Sequence, residues 1–125
     1  MKNVDKNQIL NYNFIMENLF TAKYTPEAQL ELKALDKQNI KRVLRTIALF
    51  EQLGQAGVKS RPLNKEGLFE LKCDKVRIYF MYHQNAIIII GLITLKKTQK
   101  APEQYKLTAM SRINKYTTKR NDKNG

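Results

Sequence analysis

The chain has 125 residues, 23 Lys and Arg against 11 Asp and Glu, a formal net charge of +12 and 42% hydrophobic residues. That length and apolar share fit one compact domain with a true core and exclude wholesale disorder. A lone cysteine, Cys73, rules out an internal disulfide and a Cys/His zinc set, which points to a reducing cytoplasm. The longest apolar run, residues 86–94, is less than half of the roughly 20 residues that a membrane span needs, and residues 1–11 lack the apolar stretch of a signal peptide. No membrane partner and no metal are expected.

The charge is unevenly placed. Residues 1–58 carry +2, residues 59–77 carry +3, residues 78–95 carry none and residues 96–125 carry +7. Cationic segments therefore flank an uncharged apolar middle, as when basic loops and a tail surround a buried sheet. Clustered Lys and Arg attract phosphate polyanions. A merely solvated, Lys-rich surface is the competing reading.

In chain order, residues 3–20 alternate weakly through Tyr12, Phe14 and Met16, which permits a first strand. Thr25 caps a helix with Pro26 at its first position, and Ala28, Leu32 and Leu35 recur at helical spacing. Asp36 caps a second helix with an apolar stripe of Ile40, Val43, Leu44, Ile47, Phe50 and Leu53, ended by Gly54 and Gly57. Lys37, Lys41, Arg42 and Arg45 lie off that stripe. After Pro62 the period changes to two. Phe69, Leu71 and Cys73 share one face of a strand, with Leu68, Glu70 and Lys72 on the other. Val76, Ile78, Phe80 and Tyr82 face inward from the next strand, opposite Arg77, Tyr79 and Met81. Asp74 and Lys75 leave room for a tight hairpin turn, and Gln84 and Asn85 mark another. Residues 86–95 are apolar on both faces, as in a covered strand. Ala101 and Pro102 open a last helix striped by Tyr105, Ala109, Ile113 and Tyr116. The sum is an α+β domain, a small antiparallel β-sheet with an N-terminal helical hairpin and a C-terminal helix packed on one side. It occupies residues 1–119, and residues 120–125 form a frayed basic tail.

With the helical hairpin on one face, Glu70, Lys72, Arg77 and Tyr79 share the other, and Lys96 and Lys97 leave the last strand nearby. Metal-free cleavage of RNA needs a group to deprotonate the 2′-hydroxyl, positive charge on the phosphorane and protonation of the leaving 5′-oxygen. Arg offers a planar donor fork, Lys a charge whose pKa falls when crowded by cations, and Tyr a ring that stacks or exchanges a proton. Ordinary cross-strand pairs, such as Glu70 with Arg77, are the bland alternative.

Residues 30–116 resemble the RelE-like toxins of type II toxin–antitoxin systems, in the HigB-type, phage Gp49-like branch. The resemblance rests on an ordered series: Arg61, Pro62 and Leu63; Gly67 through Lys72 (GLFELK); Val76 through Tyr79 (VRIY); residues 96–102 (KKTQKAP); then Ala109 and Arg112. It implies a small antiparallel sheet with two N-terminal helices and one C-terminal helix. It also implies a ribosome-dependent mRNA endonuclease that inhibits translation without a cofactor, neutralised by a small, helix-turn-helix antitoxin. Carried over, Lys72 stands where this branch usually has Arg, Arg77 matches the arginine of the next strand, and Lys96 and Lys97 match its paired lysines. Arg77 is thereby assigned to the phosphate, Lys72, Lys96 or Lys97 to base or clamp, and Tyr79 to stacking or proton transfer. Lys59, Arg61, Lys65, Lys75 and Lys100 are further RNA-binding candidates. His83 reads as a surface or turn residue, Cys73 as core, and Tyr105 and Tyr116 as core contacts. Two alternatives remain: a RelE-fold toxin of the ParE kind acting on DNA gyrase without nuclease activity, and a nucleic-acid-binding relic.

Overall fold

The computed structural model describes residues 18–96 and 99–124, the last five by backbone alone. The elements are β1 (Thr21–Tyr24), α1 (Pro26–Lys33), α2 (Lys37–Leu53), a single 3-10 turn, β2 (Ser60–Pro62), β3 (Leu68–Cys73), β4 (Val76–His83), β5 (Ile87–Leu95) and α3 (Glu103–Asn124). The caps are those expected from composition. The Thr25 hydroxyl accepts from the Ala28 amide at 3.1 Å, and the Asp36 carboxylate accepts from the Asn39 amide at 2.8 Å. Gly54 closes α2 at φ 60°, a left-handed conformation that glycine adopts without a Cβ penalty. Asp74 turns the β3–β4 hairpin at φ 56°, and Gln84 and Ala86 take φ 54° and 61° in the β4–β5 turn. α3 extends through Asn124, into the segment expected to fray.

The five strands are ordered β1-β5-β4-β3-β2, and β1 runs parallel to β5 while every other pair is antiparallel. The sheet is therefore mixed, a correction to the all-antiparallel expectation. The parallel edge strand is possible because the whole α1–α2 hairpin and the following strands separate β1 from β5 in sequence. Helices also cover both faces, not one. Val43, Ile47 and Phe50 of α2 pack with Leu71, Ile78 and Phe80 on the first face. Ala109 and Ile113 of α3 pack with Leu68, Tyr79 and Leu92 on the second.

The α2 stripe is narrower than its periodicity implies, since Leu44 and Leu53 lie 48% and 45% exposed. Tyr82, expected inward, is also exposed at its edge although its ring meets Phe20, Phe69 and Phe80. β5 contains a register shift: Tyr79 pairs Leu92 but Phe80 pairs Ile90, so Gly91 is bulged out. The bulge switches parity, and it lets β5 present Ile89 and Leu92 to α3 but Ile88, Ile90 and Ile93 to the helical hairpin. α3 packs tightly here, for a Cβ on Gly91 would lie 2.7 Å from the Ala109 carbonyl oxygen.

Polar side chains close the exposed sheet edge. The Glu51 carboxylate accepts from the Ala22 amide at 2.8 Å, and Glu31 accepts from the Ile93 amide at 3.0 Å where β5 outruns β1. Arg112 donates to the Gly91 carbonyl and to both Glu31 oxygens, each at 3.0 Å, so one ion pair ties α1 to α3 around the edge. Among the described residues no helix is long and apolar enough to cross a membrane. The first strand expected within residues 3–20 lies almost wholly outside the described residues; β1 begins just after it.

Candidate functional site

Strand register assembles the site. Arg61 pairs Glu70, Glu70 pairs Tyr79, and Tyr79 pairs Leu92, giving one row across four strands. Lys72, Arg77 and Thr94 make the next row on the same face. Period-two alternation puts both rows on the α3 side, because partners two residues apart along a strand share a face. α3 covers only part of that face. Beyond its first turn a groove opens, lined by Glu70, Arg77, Tyr79, Lys96 and Lys100 and walled by Pro102 and Tyr105.

Arg77 is 9% exposed, and one terminal nitrogen of its guanidinium donates to the carbonyls of Asp74 at 2.7 Å and Val76 at 3.0 Å. The hairpin backbone thus fixes the fork while its edge reaches the groove. The Lys96 amide donates to the Lys75 carbonyl at 2.6 Å, which holds the start of the basic segment against the same hairpin. Glu70 is 2% exposed and pairs with Arg61 at 2.9 Å. The Glu70–Arg77 pair of the bland alternative is not formed; Glu70 instead takes its partner Arg61 from the edge strand β2, a strand too short to be read from alternation.

Tyr79 is 1% exposed, its ring set edge-on against Tyr105 at 6.5 Å. Burial first, and then the neighbouring Glu70 charge, push its phenol up from 10.0 to about 12. It is a protonated donor in the groove wall, and its buried faces leave no platform for a stacked base, which corrects the stacking role. Tyr105 is both a core contact and a lining residue.

Lys72 shares the Arg77 row but is exposed at the rim and does not line the groove. Lys97 lies outside the described residues. Of the further cations, Lys100 lines the groove and Arg61 flanks it through Glu70. Lys59, Lys65 and Lys75 are exposed and dispersed. Cys73 is buried in the core and accepts from the Thr46 hydroxyl at 3.2 Å. His83 ends β4, partly exposed.

No curated protein sequence matches the chain. Among solved structures, the archaeal RelE–RelB complex from Pyrococcus horikoshii OT3 matches with a TM-score of 0.52 and 13% identity, over 62% of this chain and 94% of that one. The toxin–antitoxin complex RelBE2 from Mycobacterium tuberculosis matches at 0.46 and 19%, over 63% and 93%. The archaeal likeness establishes a RelE-like fold, in agreement with the motif series. The model of the family described as phage derived protein Gp49-like (DUF891) matches residues 30–114, from the end of α1 to beyond the Arg112 latch. The chain belongs to that Gp49-like family.

Proposed function

We propose that this protein is the toxin of a type II toxin–antitoxin pair and inhibits translation as a ribosome-dependent mRNA endonuclease. The observation that carries the reading is the convergence of Arg77, Lys96 and Lys100 on a groove that also holds a carboxylate and a protonated phenol. A binder of protein surfaces has no need to bury an arginine fork there, whereas a phosphorane needs preorganised donors where its charge develops. Arg77 holds the non-bridging phosphate oxygens, Lys96 and Lys97 add positive charge from the segment after β5, and Lys72 contributes from the rim. Tyr79 donates a hydrogen bond from the wall. Lys59, Arg61, Lys65 and Lys75 extend the basic surface beyond the groove and track the RNA or ribosomal backbone. The P. horikoshii RelE structure is a complex with RelB; by analogy the partner here is a small antitoxin, with a helix-turn-helix DNA-binding domain, that acts in the cytoplasm.

The test is induced expression, followed by mapping of message ends, in parent and Arg77→Ala cells. The proposal expects translational arrest with cut messages for the parent and a loss of about 10²–10³ in cleavage rate for the variant. Intact messages with DNA damage would point to a gyrase-directed toxin, and no growth effect would point to a relic; either result overturns the proposal.

A further inference from the structure

We propose that Glu70 is the base of the reaction, taking the proton of the attacking 2′-hydroxyl, and that Arg61 is the residue that positions it. This rests on the nuclease reading above and names the group that the basic constellation leaves out. A base must start unprotonated. The described titratable side chains lining the groove are Glu70, Arg77, Tyr79, Lys96, Lys100 and Tyr105. Arginine does not give up its proton in proteins, and ordinary Lys and Tyr side chains hold theirs to about pH 10. The Tyr79 phenol is displaced further, to about 12. Glu70 is the carboxylate among these lining groups, and it is paired with Arg61.

Its surroundings are those of a working group. A carboxylate 2% exposed is costly to bury, and a cation at 2.9 Å offsets the cost. That cation comes from the outermost strand and is itself 48% exposed, so it orients the carboxylate without sealing it off. The hydrogen bond from Arg61 engages Oε1, so Oε2 is the oxygen assigned to receive the proton. Glu70 and Arg77 are diagonal neighbours on β3 and β4, about 7–8 Å apart along the sheet. That span sets a base on the nucleophile and a fork on the phosphate next to it.

The step balances with water alone. The proton moves from O2′ to Oε2, and O2′ forms a bond to phosphorus. The P–O5′ bond breaks, its electron pair leaves on O5′, and O5′ takes a proton from water. A 2′,3′-cyclic phosphate and a 5′-hydroxyl result, and Glu70 returns its proton to solvent.

Charged or titratable groups facing Glu70 are Arg61 from β2, Arg77 and Tyr79 from β4, Lys96 and Lys100 after β5, Tyr105 from α3, and Lys72 on its own strand. Single-turnover cleavage of a short message on programmed ribosomes, followed from pH 5 to 9, tests the assignment. The parent rate should rise with pH along an acid limb and level off. Glu70→Gln should lower the plateau about 10²–10⁴-fold and abolish the limb, with RNA affinity unchanged or tighter because a negative charge is gone. Arg61→Met should move the limb to higher pH, and Arg61→Lys should restore it. A Glu70→Gln variant that cleaves at the parent rate with the parent profile overturns the assignment and leaves the nuclease reading standing. If Glu70→Gln unfolds, the Arg61 pair decides alone, and an unmoved limb in Arg61→Met overturns it. A parent that cleaves nothing overturns both.

Discussion

Gly91→Ala is the substitution whose cost follows most directly from the packing. A methyl there would stand 2.7 Å from the Ala109 carbonyl oxygen and 2.7 and 2.9 Å from Ile113 Cγ1 and Cδ1. Ordinary contacts need about 3.5–4.0 Å, so close to 1 Å must be found. The nearest obstacle is helix backbone, which yields only if α3 moves. Overpacking of this kind costs about 1–3 kcal/mol. Displacing α3 also weakens the Arg112 bond to the Gly91 carbonyl, a charged hydrogen bond worth about 1.5–3 kcal/mol when intact. Restricting the unfolded chain returns about 0.4–1 kcal/mol. The balance is a loss of about 2–3 kcal/mol, or about 10 °C in Tm for a domain of this size. Thermal unfolding by circular dichroism reads the shift, and amide exchange locates it in α3. Because α3 supplies Tyr105 to the groove, the proposed cleavage should fall as well. A Tm within about 2 °C of the parent, with unchanged exchange in α3, would refute the packing argument. Gly67→Ala is the comparison: its surroundings are open, with Met81 Cε at 3.7 Å, but its φ of 97° makes any side chain strained. It should cost about 1 kcal/mol without touching α3.

Three further outcomes follow. In a double-mutant cycle, Glu31→Gln and Arg112→Met should each destabilise by about 1–3 kcal/mol and couple by more than about 0.5 kcal/mol, since they share one ion pair and its sheet-edge bonds; additive losses would show that the latch is not a unit. Burial pushes both Tyr24 and Tyr79 up from 10.0 to about 12, so they favour the fold fully below pH 10 and that contribution is lost as pH rises from 10 through 12. Alkaline absorbance titration should show a late phenol wave that shrinks in Tyr79→Phe; an undiminished wave would contradict the burial. The proposed RNA affinity, carried by three or four cations at the groove, should fall roughly 20–50-fold for a fourfold rise in salt, and a flat salt dependence measured by anisotropy would argue against phosphate contacts.

Much of this architecture was legible because local signals agreed with one another. Thr25, Asp36 and Gly54 mark helix ends by capping chemistry, and Asp74 with Lys75 fixes the β3–β4 register that brings Lys72 beside Arg77 and Glu70 beside Tyr79. The edge strands were not legible. β1 is four residues and β2 three, too short for an alternation to register, and both are held by partners distant in sequence. β2 matters most for the site, because it delivers Arg61 to Glu70. The bulge at Gly91 was hidden inside a run of isoleucines whose apolar character is the same on both faces. Placing α3 on the opposite face from α1 and α2 is a tertiary outcome, since a stripe of Tyr105, Ala109 and Ile113 says that a helix is covered but not by which side of the sheet. For the same reason the face read as open is half closed, and Tyr79 is wall instead of platform.

The reaction proposed for the groove is cleavage of RNA by attack of the neighbouring 2′-hydroxyl. Its most direct test is the chemistry of the ends left on a message by purified protein on programmed ribosomes, read by mass spectrometry. A 2′,3′-cyclic phosphate and a 5′-hydroxyl are expected, with no cut where the 2′-hydroxyl is replaced by hydrogen. Undiminished cutting at the 2′-deoxy position, or ends bearing a 5′-phosphate, would contradict it.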